Sequence, residues 1–62
     1  MEIFSHITID PDIHHGMPII TGTQVSVSTV VGSLACGMSK EEVMKEYELT
    51  KEEVEAALAY PD

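Results

Sequence analysis

The feature that most constrains this chain is a short phrase that occurs twice in its carboxyl-terminal half. Met38 to Val43 reads M-S-K-E-E-V, and Leu49 to Val54 reads L-T-K-E-E-V. In each copy a hydroxyl residue is followed three positions later by a glutamate, which is the capping-box pattern of a helix N-terminus. The repeat therefore predicts two short helices, one beginning near Lys40 and the other near Lys51.

Each copy also carries a hydrophobic residue on both sides of its cap. Met38 is spaced to pack on Val43, and Leu49 is spaced to pack on Val54, as in a hydrophobic staple. Such a staple fixes the direction from which the chain approaches the helix. Because little sequence separates the two copies, we expect a tight turn between the helices.

A third helix is predicted before this pair. From Ser28 onward the apolar residues fall on one helical face, with Ser28 or Ser26 as the N-cap and Gly37 as the end. Gly32 lies inside this helix, where glycine costs about 1 kcal/mol relative to alanine. It indicates either the close approach of another element or a weak helix, and we expect close packing.

The three helices predict a helix-turn-helix arrangement as the most economical packing, although a plain helical hairpin remains an alternative. The first of the pair is expected to end near Tyr47, and the second at Tyr60, because Pro61 follows it. The predicted core of this body includes Val43, Met44, Tyr47, Leu49, Val54, Ala57 and Leu58.

The N-terminal part of the chain has the pattern of β-strands. The run E-I-F-S-H-I-T-I from Glu2 to Ile9 alternates in polarity, which predicts one half-buried strand, and the Pro11 turn ends it. Further strand signals lie at 19–20 and 25–27, with Gly22 between them at a bend or bulge. The predicted fold is mostly α, with a β-rich N-terminal arm over 1–27 and a three-helix body over 28–62, in one domain.

Size and charge limit what such a domain does. A chain of 62 residues buries only about 60% of its unfolded surface, so we expect support from a partner chain, either a second copy or another protein. Three basic residues against eleven carboxylates give a net charge of −8, which makes nucleic acid an unlikely partner by charge. With no membrane span or signal peptide in the sequence, the expected location is the cytoplasm.

The residues that can ligate metals or perform catalysis do not form a defined pattern. The possible metal ligands are His6, Asp10, Asp12, His14, His15 and Cys36. Their spacing matches no zinc or other metal site, so no metal or cofactor is expected. No nucleophile is paired with a base, and we therefore expect a protein that is not an enzyme.

DNA binding is the alternative that a helix-turn-helix body raises, because its last helix would enter the major groove. In this chain that helix begins K-E-E-V-E, with Lys51 against three glutamates that repel phosphate. A DNA-binding transcriptional regulator that acts on its own operon stays open as the second hypothesis. The same scaffold also serves as a protein-binding surface.

The motifs I-D-P-D-I-H-H-G-M-P-I-I-T-G-T-Q-V-S-V, L-A-C-G-M-S-K-E-E-V and L-T-K-E-E-V-E-A-A-L-A-Y together resemble a family of small bacterial and archaeal proteins, the domain of unknown function numbered 433. The resemblance extends from Ile9 to Tyr60. It implies a homeodomain-like three-helix body with a short β-rich arm. It also implies an antitoxin that pairs with a nuclease toxin of the PIN-like class.

This chain departs from the pattern of that family at three places. Met17 and Gln24 stand where the family commonly has lysine and arginine, and the turn after Tyr47 lacks a proline that often occurs there. The missing cations argue against a mechanism in which an arginine of the arm enters the metal site of a nuclease. The amide of Gln24 offers a weaker donor to a charged acceptor.

The ribbon from Gly16 to Val27 is expected mainly to stabilise the assembly and secondarily to bind a protein partner. Its edges suit strand addition, so we expect it to pair across a homodimer and to present side chains to a protein partner. The leading hypothesis is a non-enzymatic antitoxin-like module that neutralises a PIN-like nuclease, with its acidic helices steering association. The predicted partner-binding residues are Thr23, Gln24, Val25, Glu52 and Glu55.

Overall fold

A computed structural model describes residues 1–60 of the chain. In chain order these residues form β1 (Glu2–Phe4), β2 (Ile7–Thr8), a one-turn 3-10 segment (His14–Gly16), β3 (Ile19–Ile20), α1 (Val27–Ala35), α2 (Lys40–Tyr47) and α3 (Lys51–Ala59). The predicted fold class, a three-helix body with a short β-rich N-terminal arm, is confirmed. The last two residues of the predicted body, 61 and 62, lie outside the described residues.

The two repeated phrases form two matching helix caps. The Ser39 hydroxyl accepts a hydrogen bond from the Glu42 backbone N–H at 3.1 Å, and the Glu42 carboxylate accepts one from the Ser39 N–H at 2.8 Å. Thr50 and Glu53 make the same two bonds, at 3.1 and 2.8 Å. Both helices therefore begin where the capping boxes predict, since each box satisfies backbone donors that the first turn leaves free.

Removal of either cap hydroxyl is expected to destabilise the protein. Ser39→Ala and Thr50→Ala should each lower the free energy of unfolding by about 1 kcal/mol, because the N3 backbone N–H then loses its partner. The conservative changes Ser39→Thr and Thr50→Ser keep the acceptor and serve as controls. Urea unfolding followed by circular dichroism measures the effect. Alanine variants as stable as the wild type would show that the boxes contribute nothing.

The first helix begins at Val27, because Ser26 is its cap, one of the two residues that the sequence offered for this role. The Ser26 hydroxyl accepts from the Thr29 N–H at 3.0 Å. The expectation that Gly32 marks close packing is wrong. Gly32 is exposed, and a Cβ added there would have no described neighbouring atom within 4 Å, so the glycine only weakens the helix.

Alanine at position 32 is therefore expected to stabilise the protein. Gly32→Ala should raise the free energy of unfolding by about 0.5–1 kcal/mol, because alanine has the higher helix propensity and the site has room for its methyl group. Gly37→Ala is the matched control, and it should destabilise, since the φ of Gly37 is +105°. Thermal unfolding of both variants tests the prediction, and a lower midpoint for Gly32→Ala would contradict it.

The first predicted strand is in fact a hairpin. Instead of one strand from Glu2 to Ile9, the chain reverses at Ser5 and His6, so that β1 pairs antiparallel with β2. His6 has a φ of 65°, in the left-handed region that histidine tolerates better than most side chains do. The alternating pattern does not distinguish one strand from two that fold back on each other, and the polar S-H pair provides the turn.

The sheet is completed by β3, giving the order β1-β2-β3. β2 and β3 are antiparallel, in the register Ile7–Ile20 and Thr8–Ile19. The strand predicted at 25–27 is reduced to a single bridge between Ile19 and Ser26, because Ser26 caps α1 and Val27 opens it. Gly22 lies in the turn predicted for it, with a φ of 82°.

One hydrophobic core joins the sheet to the helices. The largest fully buried side chains are Ile7, Ile20, Val30, Val43 and Val54. Of the predicted core, Val43, Leu49, Val54 and Ala57 are buried, and Met44 and Tyr47 pack against the cluster half-buried. The sequence-based core omitted both isoleucines, although the arm supplies them to the same cluster as the helices.

Leu58 was predicted in the core, and this is wrong because its side chain is 45% exposed. The buried face of α3 carries Val54, Ala56 and Ala57, whose small alanines permit close packing of the helix. Leu58 is rotated by one residue, about 100° around the axis, from Ala57. At the end of the same helix, the Tyr60 ring meets the Phe4 ring edge to face at 5.7 Å, which ties β1 to the body.

Candidate partner-binding surface

The three ribbon residues predicted to meet a partner, Thr23, Gln24 and Val25, belong to a tight loop over residues 21–26, between β3 and α1. The Ile20 N–H donates to the Val25 carbonyl at 2.9 Å, and the Thr23 N–H donates to the Ile20 carbonyl at 3.0 Å. The Thr23 hydroxyl donates to the same carbonyl at 2.8 Å and accepts from the Val25 N–H at 3.1 Å. The polar atoms of Thr23 are thus hydrogen-bonded within the loop, and this residue stabilises the loop conformation.

Gln24 is exposed in this loop, as are Thr21 and Gly22. Its backbone carbonyl accepts a hydrogen bond from His14 Nε2 at 2.6 Å, across ten positions of sequence. Because a carbonyl oxygen only accepts, Nε2 must carry the proton. Val25 is half-buried and packs against the core. Of the three loop residues predicted to meet a partner, Gln24 is therefore the one whose side chain is exposed.

The outer edge of β3 is covered by the returning chain. Besides the Ile20 to Val25 bond, the Val27 N–H donates to the Pro18 carbonyl at 3.0 Å, and Ser26 bridges to Ile19. Strand addition needs free backbone groups along an edge. The ribbon offers few of them, and β1 lies at the opposite margin of the sheet.

The two predicted glutamates lie on α3. Glu52 and Glu55 are exposed and three positions apart, so they are neighbours on one helix face. Glu53 between them is engaged in the cap of Thr50. Within residues 1–60, no hydrogen bond joins these glutamates to the loop around Gln24. The predicted site residues thus come from two elements, a neutral loop and an acidic helix face.

Most of the carboxylates of the chain lie in the second half of the helical body, where residues 40–55 carry a net charge of −4 out of the total −8. Seven of the eleven carboxylates lie between positions 41 and 55: Glu41, Glu42, Glu46, Glu48, Glu52, Glu53 and Glu55. The same segment and Lys40 before it contain the three lysines. Two of these glutamates are used by the capping boxes, and the other five are exposed. The acidic surface is therefore available to a partner.

The histidines and the cysteine do not assemble into a site. Among residues 1–60, no group of three or more histidine, cysteine, aspartate or glutamate side chains is placed to hold a metal ion. Cys36 is exposed and ends α1. His14 instead has a structural contact with Gln24 that the sequence did not predict, because nothing in the local pattern relates two loop residues so far apart.

The geometry defines a small three-helix domain with a hairpin-containing arm and an acidic helical surface. Residues 7–60 match the model of a family described as "Protein of unknown function (DUF433)". The match spans most of the chain, and the chain belongs to this family. The resemblance seen in the sequence is thus confirmed.

A solved structure shares the fold. The X-ray crystal structure of Rv2018 from Mycobacterium tuberculosis matches with a TM-score of 0.75 and 31% sequence identity. The match covers 84% of this chain and 24% of that chain, so this domain spans about a quarter of that protein. No curated protein matches the chain. Within residues 1–60, each helix is too short or too polar to cross a membrane.

Proposed function

We propose that this protein is a non-enzymatic, antitoxin-like module that binds and neutralises a nuclease of the PIN-like class. The observation that carries the proposal is the exposed acidic surface of α2 and α3, on a body with little positive charge to hold a phosphate backbone. The family resemblance supplies the class of partner. A nuclease that handles RNA needs a basic surface, which is the electrostatic complement of these helices.

The acidic surface contributes chiefly to the rate of association. Exposed charges such as Glu52 and Glu55 gain little energy in a single ion pair, but together they attract a basic partner over a distance of about one Debye length, near 10 Å at 0.1 M salt. Shorter-range contacts then determine how long the complex lasts. Gln24 is suited to such a contact, because its exposed amide both donates and accepts hydrogen bonds.

The same proposal includes a homodimer that acts in the cytoplasm without metal or cofactor. A 62-residue chain has a small core, and pairing with a second copy would add buried surface. The ribbon edge that was expected to form the pairing surface is hydrogen-bonded within the chain.

Capture of the partner tests this function. The tagged chain is co-expressed with the polypeptide encoded by the adjacent reading frame, purified at 150 mM NaCl and weighed by native mass spectrometry. A stoichiometric complex whose nuclease activity is suppressed is the expected result. Release of the partner's activity after proteolysis of the tagged chain would confirm inhibition. Recovery of the tagged chain without any polypeptide partner would count against the proposal.

DNA binding through α3 is the second candidate, and one observation favours it. Only the three residues 48–50 separate α2 from α3, which matches the turn length of helix-turn-helix proteins. Electrostatic attraction to a duplex is strongest at low salt, so a mobility-shift titration of upstream DNA at 20 mM NaCl is the most permissive test. No retardation at micromolar protein would eliminate this candidate.

A further inference from the structure

The loop that carries Gln24 is held by a side chain from another loop. His14 lies in the 3-10 segment before β3, and its Nε2 is 2.6 Å from the Gln24 carbonyl oxygen. A hydrogen bond across ten positions joins two segments that the sheet does not pair. It restrains the backbone of Gln24 and makes no use of the side-chain amide of that residue.

The backbone conformation of the segment around His14 orients this ring toward Gln24. Its backbone lies in the left-handed region, with φ values of 50° at His14, 55° at His15 and 83° at Gly16. This region is disfavoured for residues that carry a Cβ. The turn is secured by hydrogen bonds from the Gly16 N–H to the Ile13 carbonyl at 3.1 Å and from the Met17 N–H to the His14 carbonyl at 3.0 Å.

The loop is also held from outside through Thr21, whose N–H donates to the His6 carbonyl at 2.8 Å and whose hydroxyl is 2.7 Å from the Thr8 hydroxyl. The bonds nearest Gln24 lie between backbone and hydroxyl groups within residues 20–25. Thr23 bonds to Ile20 and Val25, and Ile20 bonds to Val25. With the His14 contact, the backbone of the loop is held from inside and from outside, while the Gln24 side chain projects into solvent. A recognition residue on such a loop loses little backbone freedom when it binds, which favours affinity.

We infer that His14 is a positioning residue for partner recognition, because its ring fixes the loop that presents the Gln24 amide to the bound polypeptide. This inference rests on the proposed function and adds a second contact region to the acidic surface. The group recognised is a polar backbone or side-chain group of the partner, since an amide pairs with both donors and acceptors.

His15 provides a matched control. It is the same residue type, it is also exposed, and its backbone has nearly the same φ, but its ring makes no hydrogen bond within residues 1–60. His14→Ala and His15→Ala therefore share the backbone cost of alanine in the left-handed region. They differ in the bond to Gln24. A third variant, His14→Gln, keeps an N–H donor at a similar reach and should restore the bond.

The first measurement is amide hydrogen exchange of the free protein. In His14→Ala, exchange at the Thr23 and Val25 amides should become roughly two- to tenfold faster, the ratio that corresponds to the loss of one ordinary hydrogen bond. In His15→Ala and His14→Gln these rates should stay near those of the wild type. Equal rates in His14→Ala and His15→Ala would overturn the inference.

The second measurement is affinity for the polypeptide encoded by the adjacent reading frame, by surface plasmon resonance at 150 mM NaCl. His14→Ala and Gln24→Ala should each bind roughly two- to tenfold more weakly, whereas His15→Ala and His14→Gln should bind like the wild type. If the wild type binds and all four variants bind equally well, the inference fails while the proposed function stands. If the wild type does not bind, both fail.

Discussion

Replacement of Ile20 by alanine is expected to remove most of the stability of this domain. Ile20 is fully buried at the junction between β3 and the helices, in one cluster with Val30, Val43 and Val54. Truncation of a buried isoleucine to alanine costs about 2–5 kcal/mol, and a 62-residue chain has a total stability of roughly 3–9 kcal/mol. The arm is therefore expected to be essential to the fold of the helical body.

Two further variants make this prediction measurable. Ile20→Val should lower the free energy of unfolding by about 0.5–1.5 kcal/mol and leave a folded protein for comparison. Leu58→Ala removes as many carbon atoms as Ile20→Ala, but from a position that is 45% exposed, so it should cost much less. Urea unfolding of the three variants gives the order of their free energies of unfolding. If Ile20→Ala is no more damaging than Leu58→Ala, the arm does not belong to the core.

Reversal of charge at Glu55 is the second large effect that we expect. Glu55→Lys should weaken the complex with the nuclease partner about tenfold, mainly through slower association, because it replaces attraction of a basic surface by repulsion. Lysine and glutamate have similar helix propensities, so the fold should be unchanged. Glu52→Gln removes one charge from the same face and should give a smaller loss, about threefold, which corresponds to the usual strength of an exposed pair.

The control variant makes the same change in net charge at a position outside α3. Asp12→Lys alters the net charge by the same amount, but Asp12 is exposed on the arm and belongs to neither α2 nor α3. Association rates measured by stopped flow at 50 and 300 mM NaCl separate the two effects, since salt screens steering. The acidic surface would lose its assigned role if Asp12→Lys slowed association as much as Glu55→Lys.

The helices of the body were predictable because the residues that cap them lie close together in the sequence. The capping pairs Ser39 with Glu42 and Thr50 with Glu53 each lie within one turn, so the sequence alone defines where α2 and α3 begin. The family resemblance rested on these motifs together with the stretch from Ile9 to Val27. Local patterns were insufficient where two structures satisfy the same alternation, as with the hairpin that replaces the first predicted strand.

The features that were missed depend on contacts between distant residues. The burial of Ile7 and Ile20 requires the sheet to pack on the helices, and the exposure of Leu58 depends on the exact rotation of α3. The bond from His14 to Gln24 is of the same kind, because it joins two loops. In the predicted site, Thr23 and Val25 proved to be engaged within the fold, whereas Gln24, Glu52 and Glu55 are exposed.

The most direct test of the central claim is native mass spectrometry of the tagged chain purified from its own cells at 150 mM NaCl. The acidic helical surface predicts a stoichiometric assembly with a second, basic polypeptide and no bound nucleic acid. A monomer that instead retains duplex DNA at this salt concentration would contradict the claim that the domain binds a polypeptide through this surface.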